Sequence, residues 1–173
     1  MDNIRAASAS LQASGIVLSV GLELDSFVLS LGALKVDFKP LGFSHDQPGQ
    51  FRATVGYERL AAFIESQAKG AVRDVTVVPQ GEVLEIQATA KVVFEVKVTV
   101  TCRLRVESDK ILFVDLVDVS LPIAKGIVQS ELDKANPVLD ASDWPLDVAI
   151  RQVELGGDGV VLSGEAAWPG QTL

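Results

Sequence analysis

The chain has a single cysteine, Cys102, in 173 residues, so no intrachain disulfide forms and the redox compartment stays open. A single histidine, His45, excludes any site that draws two imidazoles from one chain. No run of 18 apolar residues occurs, so no segment reads as a spanning helix. Basic residues are in deficit: 15 Lys and Arg against 23 Asp and Glu leave a net charge of −8. That balance argues against nucleic acid, where counterion release needs clustered cations. It also argues against adhesion to anionic lipid by bulk charge, so a membrane contact would be local and largely apolar. The first residues, Met1-Asp2-Asn3-Ile4-Arg5, lack the basic stretch and apolar core of a signal peptide. The expected location is therefore cytoplasmic, peripheral at a membrane, with an exported protein in trimmed form as the alternative.

Catalytic patterns are missing as well. HExxH, GxSxG, GxGxxG, the Walker A spacing and CxxC do not occur. Ser66-Gln67-Ala68-Lys69 has S-x-x-K spacing without the K-T-G that its chemistry requires, and reads as the wet side of a helix. Asp133, Asp140, Asp143 and Asp147 lack the spacing and central glycine of a calcium loop, and read as capping and turn residues. Glu107, Asp109, Asp115 and Asp118 read as the solvated edge of a hairpin. Cys102 falls in an apolar register and reads as a small core residue. The expectation is a non-catalytic protein with no metal and no cofactor.

What is abundant is aliphatic. The chain is 48% hydrophobic and only 6% aromatic, which favours strands. Its length suits one domain, 1–173 with a core at about 16–166, able to bury roughly 70% of its unfolded surface. Residues 2–13, rich in Ala and Ser, are expected as a short helix. Alternation starts at Ile16 and runs to Leu24, then resumes in residues 27–38 with a bulge or turn at Gly32-Ala33. Residues 40–50 hold two Pro and two Gly and read as a loop; 51–55 read as a strand. Tyr57, Leu60, Ala61, Ile64 and Ala68 have helical spacing, giving an amphipathic helix over 57–69 closed by Gly70. A strand over 72–78 follows.

The strongest periodicity spans residues 84–106, where every even position from Leu84 to Val106 is apolar. Odd positions, Val93 excepted, are polar or charged, with Lys91, Lys97, Arg103 and Arg105 interleaved among Glu85, Glu95 and Glu107. One strand of that length would run about 75 Å at roughly 3.3 Å per residue, so a reversal is expected near 91–94. After a turn at 108–110 and a strand over 111–119, Ser120 is placed to cap a second helix. Its apolar stripe is Ala124, Ile127, Val128, Leu132 and Ala135, and Asn136-Pro137 ends it. Strands over 146–155 and 160–166 meet at Gly156-Gly157-Asp158-Gly159, a hairpin joint. The fold class is α+β: an antiparallel sheet with two amphipathic helices.

The stretch Asn136-Pro137-Val138-Leu139-Asp140-Ala141-Ser142-Asp143-Trp144-Pro145-Leu146 resembles the N-P-x-L-D-x-S-x-x-P-L of the LmeA-like phospholipid-binding family. Asp158-Gly159-Val160-Val161-Leu162-Ser163-Gly164 is similar to that family's closing D-G-x-x-L-x-G hairpin. The helix seed at 57–64 and the V-R-D-V of residues 72–75 follow in the family's order. The resemblance covers about 16–166. It implies a curved antiparallel sheet wrapped around helices, similar to tubular lipid-binding modules, and a role in binding phospholipid or another acyl-chain ligand. No catalytic set comes with it.

Under that resemblance acyl chains would lie between the dry sheet face and the helix at 57–69. The candidate lining is Leu60, Phe63, Ile64, Ile86, Phe94, Val96 and Val98, each of which a closed core would also bury. Leu41, Phe43 and Trp144 are candidates for peripheral membrane contact, although Trp144, between Asp143 and Pro145, would equally pin a turn. An accessible groove and a closed core whose exposed edge docks another protein both fit the sequence.

Overall fold

The Ala- and Ser-rich N-terminal stretch, expected as a helix, is extended. The computed structural model describes residues 3–38, 41–45, 47–91, 95–142, 144 and 146–167. Eight strands come first: β1 (Asn3–Ala6), β2 (Ala9–Ala13), β3 (Ile16–Val17), β4 (Glu23–Leu24), β5 (Ser26–Leu31), β6 (Leu34–Phe38), β7 (Leu41–His45) and β8 (Gly49–Gly56). Helix α1 (Tyr57–Gln67) precedes β9 (Val72–Gln80), β10 (Val83–Lys91), β11 (Glu95–Glu107) and β12 (Ile111–Val119). A 3-10 turn, Pro122–Ala124, leads into α2 (Lys125–Ala135). Then come β13 (Leu139–Asp140), β14 (Asp147–Leu155) and β15 (Gly159–Ala167).

The fold is α+β, and its strand pairs are antiparallel, with a curled half-barrel sheet. One five-stranded sheet has the order β13-β12-β11-β10-β9, and a second β14-β15-β8-β5-β2. A three-stranded sheet, β1-β6-β7, and the β3–β4 pair stand apart from these.

Three sequence expectations change. β2 pairs with β5 from Ala9↔Leu31 to Ala13↔Phe27, so residues 9–13 gain a sheet partner that a short isolated helix lacks. The alternation from Ile16 to Leu24 is a tight hairpin rather than one strand. Leu18 N–H donates to the Leu22 carbonyl at 2.8 Å, and Gly21 makes the reversal at φ +89°. Part of the expected loop is β7, whose register against β6 runs from Leu34↔His45 to Phe38↔Leu41. Pro40 and Asp46 of that loop lie outside the described residues.

The long period-two run is two strands. β10 and β11 pair from Leu84↔Cys102 to Lys91↔Glu95, so the chain reverses between Lys91 and Glu95. In-register pairing sets Ile86 against Val100, Ala88 against Val98 and Ala90 against Val96, which keeps one face apolar across both strands. Leu24, Leu29, Phe51, Leu84, Leu112, Leu139, Val148 and Leu162 are among the buried residues of the main core, which draws on both large sheets. The turn after β11 ties the sheets together: Ile150 N–H donates to the Asp109 carbonyl at 2.6 Å, and Lys110 pairs with Asp147 at 2.7 Å.

Candidate functional site

The β9–β13 sheet carries a wet face and a dry one. On the wet face Arg105 bonds Asp115 at 2.7 Å and Glu107 at 2.8 Å, and its guanidinium lies 4.9 Å from the Phe113 ring centre. Arg73 reaches Glu95 at 2.7 Å. On the dry face Val77, Leu84, Val98, Cys102, Leu112 and Val119 are buried, but Ile86, Ala88, Ala90, Val96, Val100, Leu104 and Val106 are only half-buried. A sheet face sealed by a complete second layer would bury the whole row.

That face divides between two core clusters. Leu84, Ile86, Leu104 and Val106 belong with the main core. Ala90, Val96, Val98 and Val100 belong with a smaller cluster completed by Leu116, Val119, Leu121, Ala124 and Val128. The boundary falls between Ile86 and Val100, which face each other in register.

The predicted lining divides along the same boundary. On α1, Leu60, Phe63 and Ile64 are half-buried against the main core, as is Ile86. Val96 and Val98 lie in the smaller cluster. Phe94 lies outside the described residues. Leu41 and Phe43 are in β7, in register with Phe38 and Val36. Neither core cluster includes Ile4, Leu34, Val36 or Phe38 of the same small sheet, and Ile4 and Phe38 are 53% and 46% exposed. The half-buried Trp144 packs on the main core, its ring edge-on to Phe27 at 6.2 Å; Phe27 stacks on Phe51 at 6.0 Å.

The two helices are seated differently. Asp25 accepts the Gly56 amide at 2.5 Å and pairs with Arg59, which also reaches Glu23 at 2.5 Å; these contacts fix the start of α1. Near its other end Glu65 accepts the Val75 amide at 2.8 Å, tying α1 to β9. No residue of α2 is buried, and Ala124, on the expected stripe, belongs to the 3-10 turn before it. Ser120 does not cap the helix. Its hydroxyl accepts the Thr99 amide at 2.9 Å, while its own N–H donates to the Thr99 carbonyl at 2.9 Å. At the far end, Asn136 is extended rather than left-handed, and its side chain bonds Val114. Both ends of the α2 excursion are thus pinned to the sheet, while the helix between them is lightly packed.

Six of the eight carboxylates singled out in the sequence have partners, and Asp143 lies outside the described residues. Asp133 accepts from Gln129, Asp147 from Lys110, Asp109 from Arg151, and Asp115 and Glu107 from Arg105. Asp140 accepts the Ser142 amide at 2.8 Å, and this bond leads the effects that hold its carboxyl below the usual range. Burial pushes the Cys102 thiol up to about 11. Among the described residues no three His, Cys, Asp or Glu side chains gather as a metal site would require, and no helix is long and apolar enough to cross a membrane.

Sequence reading missed one cleft. Gly81 and Glu82 of the β9–β10 turn, Arg103 and Leu104 of β11, and Val153, Glu154, Leu155 and Gly156 line a volume of ≈ 550 Å³. Three segments distant in sequence form it, so no local pattern could signal it.

The residues behind the family resemblance have structural tasks. Asn136 ties α2's end to β12, Leu139 is buried, and Asp140 closes a turn on Ser142. Gly159 and Gly164 allow close strand approach: a Cβ at Gly164 would collide with the Ala149 carbonyl, and one at Gly159 with that of Val55. No curated protein and no solved structure gives a match to this chain. A family model, described as LmeA-like phospholipid-binding, matches residues 2–165. With nearly the whole chain covered, the protein belongs to the LmeA-like phospholipid-binding family.

Proposed function

We propose that this protein binds phospholipid without catalysing a reaction on it, holding acyl chains against the dry face of the β9–β13 sheet. The observation that carries the reading is the half-buried row Ile86, Ala88, Val96 and Val100, apolar yet incompletely covered where the two core clusters meet. Membership of a family described as phospholipid-binding supports the choice of ligand.

In this reading the sheet curves around the two helices. Leu60, Phe63, Ile64 and Ile86 line the α1 side of the groove and Val96 and Val98 the other; Phe94 stays a candidate on its sequence alone. Each methylene removed from water contributes about 0.8 kcal/mol, so ten would supply about 8 kcal/mol before ordering costs. Peripheral membrane contact belongs to the same reading. Leu41 and Phe43 are its candidates at the small sheet, supported by the exposure of neighbouring Ile4 and Phe38. Nucleic acid is not among the proposed partners.

A second reading is a protein-docking module with a closed core. It draws on β2, which ends the order of its sheet and leaves Leu11 exposed. Native mass spectrometry of the purified protein, followed by organic extraction and lipid analysis, separates the two. A stoichiometric adduct that extracts as phospholipid or fatty acid supports the groove. A clean apo mass with no gain on incubation with liposomes overturns it and favours protein docking.

A further inference from the structure

We infer that the 3-10 turn and the start of α2 form the surface by which this protein sits on a phospholipid bilayer, beside the incompletely covered end of its dry face. Ile123 is 86% exposed and Ile127, four residues on, is 54% exposed. Both are aliphatic, one in the 3-10 turn and one in the first turn of α2, and neither is used by a core cluster. The same element turns Leu121, Ala124 and Val128 inward onto Val98 and Val119. One short segment therefore covers the end of the dry face on its inner side and presents isoleucine on its outer side.

Charge points to the same occupant. Lys125 is the one charged residue between Asp118 and Glu131, in a chain whose net charge is −8. Lys125 is exposed on the same short segment, on the flank opposite the isoleucines, and a basic side chain there suits the lipid phosphates beside an acyl layer. A second copy of the chain suits it less well. Lasting dimers bury about 800 Å² per partner, far more than two isoleucines and Pro122 supply. A bilayer needs no shape match and accepts shallow insertion of a small apolar tip. The attachment also fits: Ser120 on Thr99 and Asn136 on Val114 hold the two ends while no α2 residue is buried.

This inference rests on the lipid-binding reading, and the test keeps the two apart. The full chain, the I123E/I127E double variant and K125E are floated with vesicles of equal parts phosphatidylcholine and phosphatidylglycerol. Each is also titrated with monomeric short-chain phosphatidylcholine below its micelle concentration. Because the substituted side chains are exposed, thermal midpoints should match the parent's. The expected result is a loss of vesicle affinity of about tenfold or more in I123E/I127E and a smaller, salt-sensitive loss in K125E, with monomer binding retained. Vesicle binding by I123E/I127E equal to the parent's overturns the docking surface. So does a parent that binds monomers but not vesicles, or a parent dimer that the double variant dissociates. A parent that binds neither monomers nor vesicles overturns the lipid-binding reading itself.

Discussion

The side-chain amide of Asn136 stands in for a strand residue against Val114. Its Nδ2 donates to the Val114 carbonyl at 2.9 Å, and its Oδ1 accepts the Val114 amide at 2.9 Å. Ala141 N–H donates to the Lys110 carbonyl and Val138 N–H to that of Leu112, both at 3.0 Å. Asn136 thus continues the ladder along β12 one step beyond β13. Two backbone groups at the edge of the sheet are satisfied, and the end of α2 is fixed to it.

Asn136→Ala is therefore expected to lower stability by about 1–3 kcal/mol, since it leaves a part-buried amide and carbonyl without their partner. Asn136→Asp keeps an acceptor for the amide but cannot donate, and should fall between the two. Urea unfolding of the three proteins checks the order; equal midpoints would mean that water replaces the side chain without cost.

Gly164→Ala should be among the most damaging small substitutions. The added carbon would strike the Ala149 carbonyl and come within 2.9 Å of the Arg151 nitrogen, at the bulge where β14 shifts register on β15. A loss of about 2 kcal/mol or more is expected. Gly157→Ala, in the nearby turn, meets nothing within 4 Å and should change stability by less than about 0.5 kcal/mol. Thermal melts of the pair test whether close approach, rather than loss of glycine as such, sets the cost.

Cys102 should resist thiol reagents while the protein is folded. Its side chain is buried on β11, and burial pushes the thiol up to about 11. Ellman's reagent at pH 8 is expected to leave the native protein unlabelled and to react once in urea. The raised value also fixes a sign. Its stability contribution is complete below the ordinary thiol value of about 8.5 and is lost as pH climbs towards 11.

Asp140 works in the opposite direction. The Ser142 amide first, then the Ser142 hydroxyl and the charge of Lys110, hold its carboxyl below the usual range. Its contribution is present above the ordinary aspartate value of about 3.9 and disappears as pH falls through the lowered folded value. The stability gap between the parent and Asp140→Asn should be constant near neutrality and shrink on acidification below about pH 4. Urea midpoints across a pH series measure it, and a gap independent of pH would assign the turn to backbone geometry alone.

Local periodicity made much of this architecture legible. Strict alternation in residues 84–106 specifies a two-faced sheet because successive strand residues point to opposite sides. The length of that run alone required the reversal seen between Lys91 and Glu95. Helical spacing from Tyr57 to Ile64 marked α1, and Gly156-Gly157-Asp158-Gly159 marked the β14–β15 joint for similar short-range reasons. Residues 3–13 misled, because weak helix propensity yields when β6 and β5 each offer a strand to pair with along one edge. Residues 41–45 misled because Pro and Gly nearby hid a strand whose evidence is its pairing with β6.

For the candidate site, residue chemistry was readable and its grouping was not. From sequence, Leu60, Phe63, Ile64, Ile86, Val96 and Val98 are alike: apolar positions on amphipathic elements. Only the tertiary structure sets the first four against the main core and the last two in a separate cluster beneath Leu121, Ala124 and Val128. It alone shows that α2 buries no residue, that Ile123 of the 3-10 turn and Ile127 of α2 are exposed, and that Trp144 meets Phe27. The physical reason is range. Alternation and helical spacing report what one segment needs to bury, whereas which segment covers it depends on contacts between residues far apart in the chain.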